Sequence, residues 1–199
     1  MTLLVLIRHA PTTWNAEGRL QGRRDTPLSE EGEAMLQTWA PPKAFSGFDW
    51  VSSPLGRTMR TARVLAGRNV AKDDRIIEMD WGDWEGRTRS ELSETLGSDF
   101  HENETRGLDF LPPGGESPRM VQDRLKPFIA ELAKKSRPVV AVTHRGVIRA
   151  AVALATDWDF MGKPPVKGAH GTYNLLRISP DGILNVQALD VPLDWDPEL

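Results

Sequence analysis

An arginine and a histidine, Arg8 and His9, follow directly on the apolar run Leu3 to Ile7, and the arrangement recurs where VVAVT at 139–143 runs into His144. An Arg-His pair after one apolar run reads by itself as a surface pair. Repetition changes that reading, because the chain has only four histidines and two of them share one local setting. A neutral imidazole can attack an electrophile or move a proton near neutral pH, and a guanidinium beside it offers a permanent charge and a planar fork of donors for an oxyanion. Arg57 adds a second fork. Ser53-Pro54 reads as a helix start, so Arg57 falls in the first turn, where free N–H groups and the positive end of the helix dipole also favour an anion. Arg60 and Arg63 on the same helix read as an exposed stripe. Three acids, Glu78, Asp80 and Glu85, lie in RIIEMDWGDWEGR at 75–87. A tryptophan beside a carboxyl group excludes water and raises its pKa towards the range of a general acid. Spacing alone does not choose among the three.

These side chains need elements to hold them. Leu3 to Ile7 is too short for a membrane span and has no helical periodicity, which predicts a strand buried on both faces; 139–143 reads the same way. Two such strands deliver His9 and His144 to one edge of a sheet, the carboxyl edge where ligands bind in open α/β folds. Ala10 to Pro27 reads as a long loop carrying Asn15, Arg19, Gln21, Gly22 and the pair Arg23 and Arg24, and long ordered loops are commonly functional. Ser29 is an N-cap for a helix that ends before Pro41 and Pro42. Asp49 to Ser53 reads as a strand, followed by the Arg57 helix with Leu55, Met59, Ala62 and Ala66 facing the sheet. A short strand is expected at the start of 75–87. The polar stretch 88–117, irregular except for a helical piece at Ser90 to Leu96, reads as a lid over the site. A helix over about Pro118 to Lys134 precedes the His144 strand, and Gly146 permits a tight turn into a helix from Val147 to Ala155. Thr172 to Ile178 and Leu184 to Leu189 read as two last strands around Pro180-Asp181-Gly182. Alternating strands and helices predict an α/β fold in a single domain over 1–199, with the lid at about 88–117.

Composition limits the alternatives. A chain of 199 residues can bury a substantial core. It has no cysteine, so disulfides and thiolate metal sites are excluded. A formal net charge of -3 gives no basic footprint for nucleic acid. No apolar stretch reaches membrane length and the N-terminus shows no export signal, so a cytoplasmic protein is expected.

Six motifs together resemble the histidine phosphatase superfamily, also called phosphoglycerate mutase-like: RHAPTTWN at 8–15, LQGRRDTPLSEEG at 20–32, SSPLGRTMRTA at 52–62, EMDWGDWEG at 78–86, PGGES at 113–117 and VTHRGVIR at 142–149. They stand in the family's order over roughly three quarters of the chain. The resemblance implies a three-layer α/β sandwich whose sheet is mostly parallel, and catalysis without metal or cofactor. It makes His9 the residue that becomes phosphorylated, with Arg8, Arg57 and His144 binding the phosphoryl oxygens and Glu78 donating the proton. Asn15, Gln21 and Gly22 match the loop that approaches phosphate and substrate. Ala10 and Arg145 depart from the glycines common at their positions, and Arg145 is placed at the substrate mouth.

Phosphoryl transfer needs in-line positioning and fixed positive charge on three oxygens, which these residue types supply. The expected activity is hydrolysis of a small phosphate monoester through a phosphohistidine. A phosphoglycerate mutase using the same chemistry is the first alternative; the chain is shorter than the mutases it resembles and its lid is compact. A phospho-ligand binding module without turnover is the second, and an intact His9 and Glu78 speak against it. Selection among substrates falls to the lid and to Arg23, Arg24, Arg145 and His170. The family often forms homodimers, and the sequence shows no defensible interface.

Overall fold

The computed structural model describes residues 1–197. Its centre is a six-stranded sheet in the order β3-β2-β4-β1-β5-β6. The strands are β1 (Thr2–Arg8), β2 (Asp49–Ser52), β3 (Ala71–Lys72), β4 (Val139–Thr143), β5 (Thr172–Ile178) and β6 (Leu184–Pro192). β1, β4, β2 and β3 run parallel, and β5 and β6 complete the other side as antiparallel strands. The helices are α1 (Thr13–Ala16), α2 (Glu30–Thr38), α3 (Gly56–Ala66), α4 (Arg89–Leu96), α5 (Ser98–Glu104), α6 (Pro118–Lys135) and α7 (Arg145–Thr156).

Side chains alternate across a strand, so β1 feeds two cores. Leu4 and Leu6 join α6 and α7 through Leu125, Phe128, Val147 and Ile148. Val5 and Ile7 face the other way, onto Leu36 of α2 and Ala62 and Leu65 of α3. The result is the expected three-layer α/β architecture, and a strand buried on both faces explains the unbroken apolar run. α6 begins at a capping box, with Ser117 accepting from the Met120 N–H, and Met120 itself points outward.

Several local expectations fail for identifiable reasons. The stretch 75–87 holds no strand. It is built from 3-10 turns at Asp74–Ile76 and Gly82–Trp84, and Gly82 has φ +50° with its Cα so close to the Pro113 carbonyl that a Cβ would stand 2.0 Å from that oxygen. A short strand lies earlier instead, at β3. The loop after His9 contains α1, closed by a reciprocal capping box between Thr12 and Asn15. Ser53 does not cap α3; Leu55 occupies the N-cap position, and the buried row is Thr58, Thr61, Ala62 and Leu65, not Leu55, Met59 and Ala66. Turning Arg57 inward rotates the helix to that row. α7 starts at Arg145, ahead of the expected Val147, and α5 adds a second helix to the stretch read as irregular.

Candidate active site

Parallel pairing of β1 with β4 sets the centre of the site. Arg8 is the register partner of Thr143, and the His9 N–H donates to the Thr143 carbonyl at 3.0 Å. His9 and His144 are therefore the next residues as both strands leave the sheet. Both are buried, and their rings meet edge to face with centroids 5.2 Å apart. His9 Nδ1 lies 2.7 Å from the Ala10 carbonyl oxygen. A carbonyl only accepts, so Nδ1 carries the proton and Nε2 keeps its lone pair. Burial holds the His9 pKa well below the usual imidazole value, and Arg8 and Arg57 push it the same way. The ring is thus neutral and its Nε2 unprotonated.

His144 Nε2 lies 2.7 Å from Ser53 Oγ, which explains why that serine is withdrawn from the helix start. Its Nδ1 is buried without a partner. Burial, followed by Arg57 and His9, lowers the pKa of this ring too.

Arg57 is buried and held by two backbone carbonyls, donating to Arg24 at 2.9 Å and to Gly22 at 2.7 Å. Those carbonyls are fixed from behind. Glu85 accepts from the Arg23 N–H at 2.5 Å and the Arg24 N–H at 3.0 Å, and a Cβ on Gly22 would stand 1.9 Å from Glu85 Oε1. Gly22 therefore serves close packing of the loop that holds Arg57. Arg8 donates to the Gly168 carbonyl at 3.2 Å, and burial, then Arg145, brings its pKa down to about 10. The Nε atoms of Arg8 and Arg57, like Nδ1 of His144, are buried without partners.

Glu78 is the acid that enters this group. It is buried, with Oε1 accepting from the Met79 N–H at 2.8 Å and Oε2 from the Gly146 N–H at 3.4 Å. Burial raises its pKa, against the opposing pull of the Met79 N–H, Arg57, the Gly146 N–H and Arg8. Trp81 and Trp84 both pack on Phe110, at 5.6 and 5.7 Å between ring centroids. Asp80 instead turns back to the Gly82 N–H at 2.8 Å, and Glu85 braces the Arg23-Arg24 backbone.

Gly146 is needed for a reason other than a tight turn. It is the second residue of α7, and a Cβ there would stand 2.5 Å from Glu78 Oε1 and 3.3 Å from Met79 Cβ. The side chain of Glu78 must then move. Gly146→Ala is expected to leave thermal stability close to wild type, since alanine is the better helix former, and to lower kcat/KM for an alkyl phosphate by up to about 10²-fold through misplacement of the carboxyl group. Melting temperature and initial rate on the same sample check it; a fully active variant would show that Glu78 needs no fixed position.

The remaining expected residues are less direct. Asn15 caps α1 and donates to Gln21 Oε1 at 3.3 Å, and Thr12 donates to the same oxygen at 2.9 Å, while the Gln21 amide donates to Thr26. They brace the loop and one another. Arg145 lies exposed at the rim, donating from Nε to the Lys167 carbonyl at 3.1 Å. Three further residues reach the site, of which only His170 was expected there, as one of the residues selecting substrate. Ser53 orients His144. His170 approaches His9 to 5.7 Å between ring centroids and donates from Nδ1 to the His9 carbonyl at 2.7 Å; burial, then Arg8, brings its pKa down to about 4. Arg149 is the third, four residues beyond Arg145, and that helical spacing was the signal available for it.

Among the described residues no group of three or more His, Cys, Asp or Glu side chains could hold a metal ion, and no helix is long and apolar enough to cross a membrane. The arrangement joins a neutral imidazole, a cluster of buried N–H donors and a carboxyl group biased towards its protonated form. Such a set can accept a phosphoryl group on nitrogen, hold its oxygens and protonate a leaving oxygen.

The chain is similar to known proteins over most of its length. The model of the histidine phosphatase superfamily (branch 1) matches residues 4–190. Phosphoserine phosphatase 1 of Hydrogenobacter thermophilus is 37% identical over 174 residues, 80% of this chain and 82% of that protein. The probable phosphoglycerate mutase GpmB of Salmonella paratyphi C is 36% identical over 151 residues, 72% of this chain and 70% of its own. The native structure of a mycobacterial glucosyl-3-phosphoglycerate phosphatase superposes with a TM-score of 0.78 at 28% identity, covering 96% of this chain and 100% of that one. With a family model spanning nearly the whole sheet and relatives above 30% identity, the chain belongs to the histidine phosphatase superfamily, branch 1.

Proposed function

We propose that the protein is a phosphomonoester hydrolase that works through a phosphohistidine on His9. The observation that carries this reading is that Arg8, Arg57 and His144, each with a buried nitrogen lacking a partner, all neighbour His9, whose Nε2 is unprotonated. A buried donor without an acceptor costs about 1–3 kcal/mol, and a phosphoryl group presents the oxygens that would satisfy all three.

In the first step His9 Nε2 attacks phosphorus, the bond to the ester oxygen breaks, and Glu78 gives its proton to the departing alkoxide. The charge on the transferring group falls on Arg8, Arg57 and His144. With Ser53 Oγ donating to His144 Nε2, the Nδ1–H of that ring becomes a further donor to a phosphoryl oxygen. In the second step a water attacks the phosphohistidine, Glu78 as carboxylate takes the water's proton, and the P–N bond breaks to release inorganic phosphate and restore His9. Asn15, Gln21 and Gly22 act behind this set by shaping the loop that fixes Arg57.

Residues 1–199 act as one catalytic unit in this reading, of which 198 and 199 lie outside the described residues, and 88–117 serves as a lid. Its Phe100 and Phe110 pack against Trp84, tying α5 to the turn that follows Glu78. The substrate is a small phosphorylated metabolite, in keeping with relatives named for phosphoserine and glucosyl-3-phosphoglycerate. The mutase reading has a relative named as a probable phosphoglycerate mutase in its favour and is the weaker of the two.

Release of inorganic phosphate from p-nitrophenyl phosphate tests the proposal. It is expected to proceed after EDTA treatment and without 2,3-bisphosphoglycerate. Activity that appears only with the bisphosphate, as transfer between phosphoglycerate positions, would establish the mutase instead; phosphate binding without turnover would establish the binding module.

A further inference from the structure

Arg145 and Arg149 are the first and fifth residues of α7, so their side chains share one face of the helix. The helix starts directly after His144, and Arg145 lies against Gly168, whose carbonyl accepts from Arg8. Arg149 lowers the pKa of Arg8, Arg145 lowers both, and Glu78 opposes the effect on both. Arg8 and Arg149 thus share one buried carboxyl group, with Arg145 beside both arginines.

Their counter-charges are already committed. Glu78 spends its oxygens on the N–H groups of Met79 and Gly146. Asp190, the other acid felt by Arg149, accepts from the N–H groups of Lys167 at 2.7 Å, Gly168 at 2.9 Å and Ala169 at 3.4 Å. Arg89, at the start of α4, pairs with Glu104. Arg149 is only partly exposed, enters no ion pair among the described residues, and has a buried Nε without a hydrogen-bond partner. Arg145 commits Nε to the Lys167 carbonyl, which leaves the two outer nitrogens of its fork.

Charge counting then separates two sets of arginines. A phosphate monoester dianion faces Arg8 and Arg57, the latter also 3.6 Å from Asp25 Oδ1, while Glu78 is protonated as the acid. Arg145 and Arg149 remain as a surplus beside it, of like charge, with Arg149 partly buried. Bringing them together without an anion is unfavourable, whereas a planar oxyanion can accept from both forks at once.

We propose that Arg145 and Arg149 form a second anion subsite next to the phosphoryl pocket, so that the preferred substrate is a small phosphate monoester bearing a second oxyanion close to the ester. A carboxylate and a second phosphate share the chemistry this subsite recognises. The inference rests on the phosphatase reading and narrows its substrate class.

Matched esters test it. The first pair is 3-phosphoglycerate and glycerol 3-phosphate, which differ by a carboxylate in place of a hydroxymethyl group. The second is 1,3-propanediol bisphosphate and 3-hydroxypropyl phosphate, which differ by one phosphate. At least one pair is expected to favour the doubly anionic member by about tenfold or more in kcat/KM, chiefly through KM, and the pair that does so identifies the oxyanion. Arg149→Gln and Arg145→Gln should each reduce that preference severalfold, the double variant should bring it near unity, and Arg149→Lys should restore part of it. Arg145 is exposed, so its variant keeps the test open if replacing Arg149 impairs folding. Equal rates within both pairs, or variants that depress both members alike, would overturn the subsite while p-nitrophenyl phosphate hydrolysis leaves the phosphatase reading standing. A wild-type protein inert towards p-nitrophenyl phosphate would overturn that reading, and the subsite with it.

Discussion

His9→Ala will release no phosphate above background, a loss of about 10⁴-fold or more, and a rapidly quenched reaction with labelled ester will carry no protein-bound label. In the wild-type protein the same quench should trap an acid-labile, base-stable phosphoryl group on His9. The size of the effect follows from geometry. No other imidazole presents an unprotonated nitrogen in the same position: His144 has Nε2 engaged with Ser53 and shares the donor cluster, while His170 is tethered by Nδ1 to the backbone of His9 itself. A buried imidazole also leaves a hole, so melting temperature must be read beside the rate. Label on a serine or an aspartate would sink the phosphohistidine assignment.

Glu78→Gln should slow phosphorylation by ordinary alkyl phosphates by between about 10² and 10⁴-fold, the range of general acid catalysis. Phosphorylation by p-nitrophenyl phosphate should suffer far less, because that leaving group departs without a proton. Single-turnover measurements are required, since loss of water activation slows the second step for both esters. The pH profile carries the sign. In the proposed mechanism turnover needs His9 unprotonated and Glu78 protonated; the first condition holds above a lowered pKa and the second below a raised one. The active window is therefore bounded on its basic side by Glu78, and that limb should vanish in Glu78→Gln while the limb set by His9 stays. Glu85→Gln should leave the ratio between the two esters nearly unchanged, since Glu85 braces the Arg23-Arg24 backbone and supports the Arg57 charge, which both esters use alike. If the selective loss appeared at Glu85 instead, the proton donor would be misassigned and His9 would keep its role.

The sheet was legible in the sequence where burial on two faces wrote it as unbroken apolar runs, at 3–7 and 139–143, and from those runs the meeting of His9 and His144 followed. What escaped was set by partners distant in the chain. Nothing local tells that Ser53 serves His144 across the sheet, because serine before proline is a good helix start in its own right. The strand expected within 75–87 was misread for a similar reason: its apolar residues are buried by α6 and α7 across a turn whose shape is dictated by Pro113, and a period of two cannot be told from irregular backbone over so few residues. Glu78 stood out from Asp80 and Glu85 only by resemblance. Its burial depends on Gly146, almost seventy residues later, whose missing side chain makes the room.

The placement of β1 and β4 inside the sheet also bears on how the molecule opens. Amide protons in the two inner strands are bonded to neighbours on both sides, whereas β3 has two exposed residues and β6 forms the opposite border. Local fluctuations that release deuterium-exchangeable amides begin at such borders and at helix ends, and the innermost strands exchange only when the whole sheet comes apart. His9 and His144 hang from those innermost strands. Edge fraying therefore leaves the two imidazoles side by side, and exchange protection at Ile7 and Val142 reports on the pair directly.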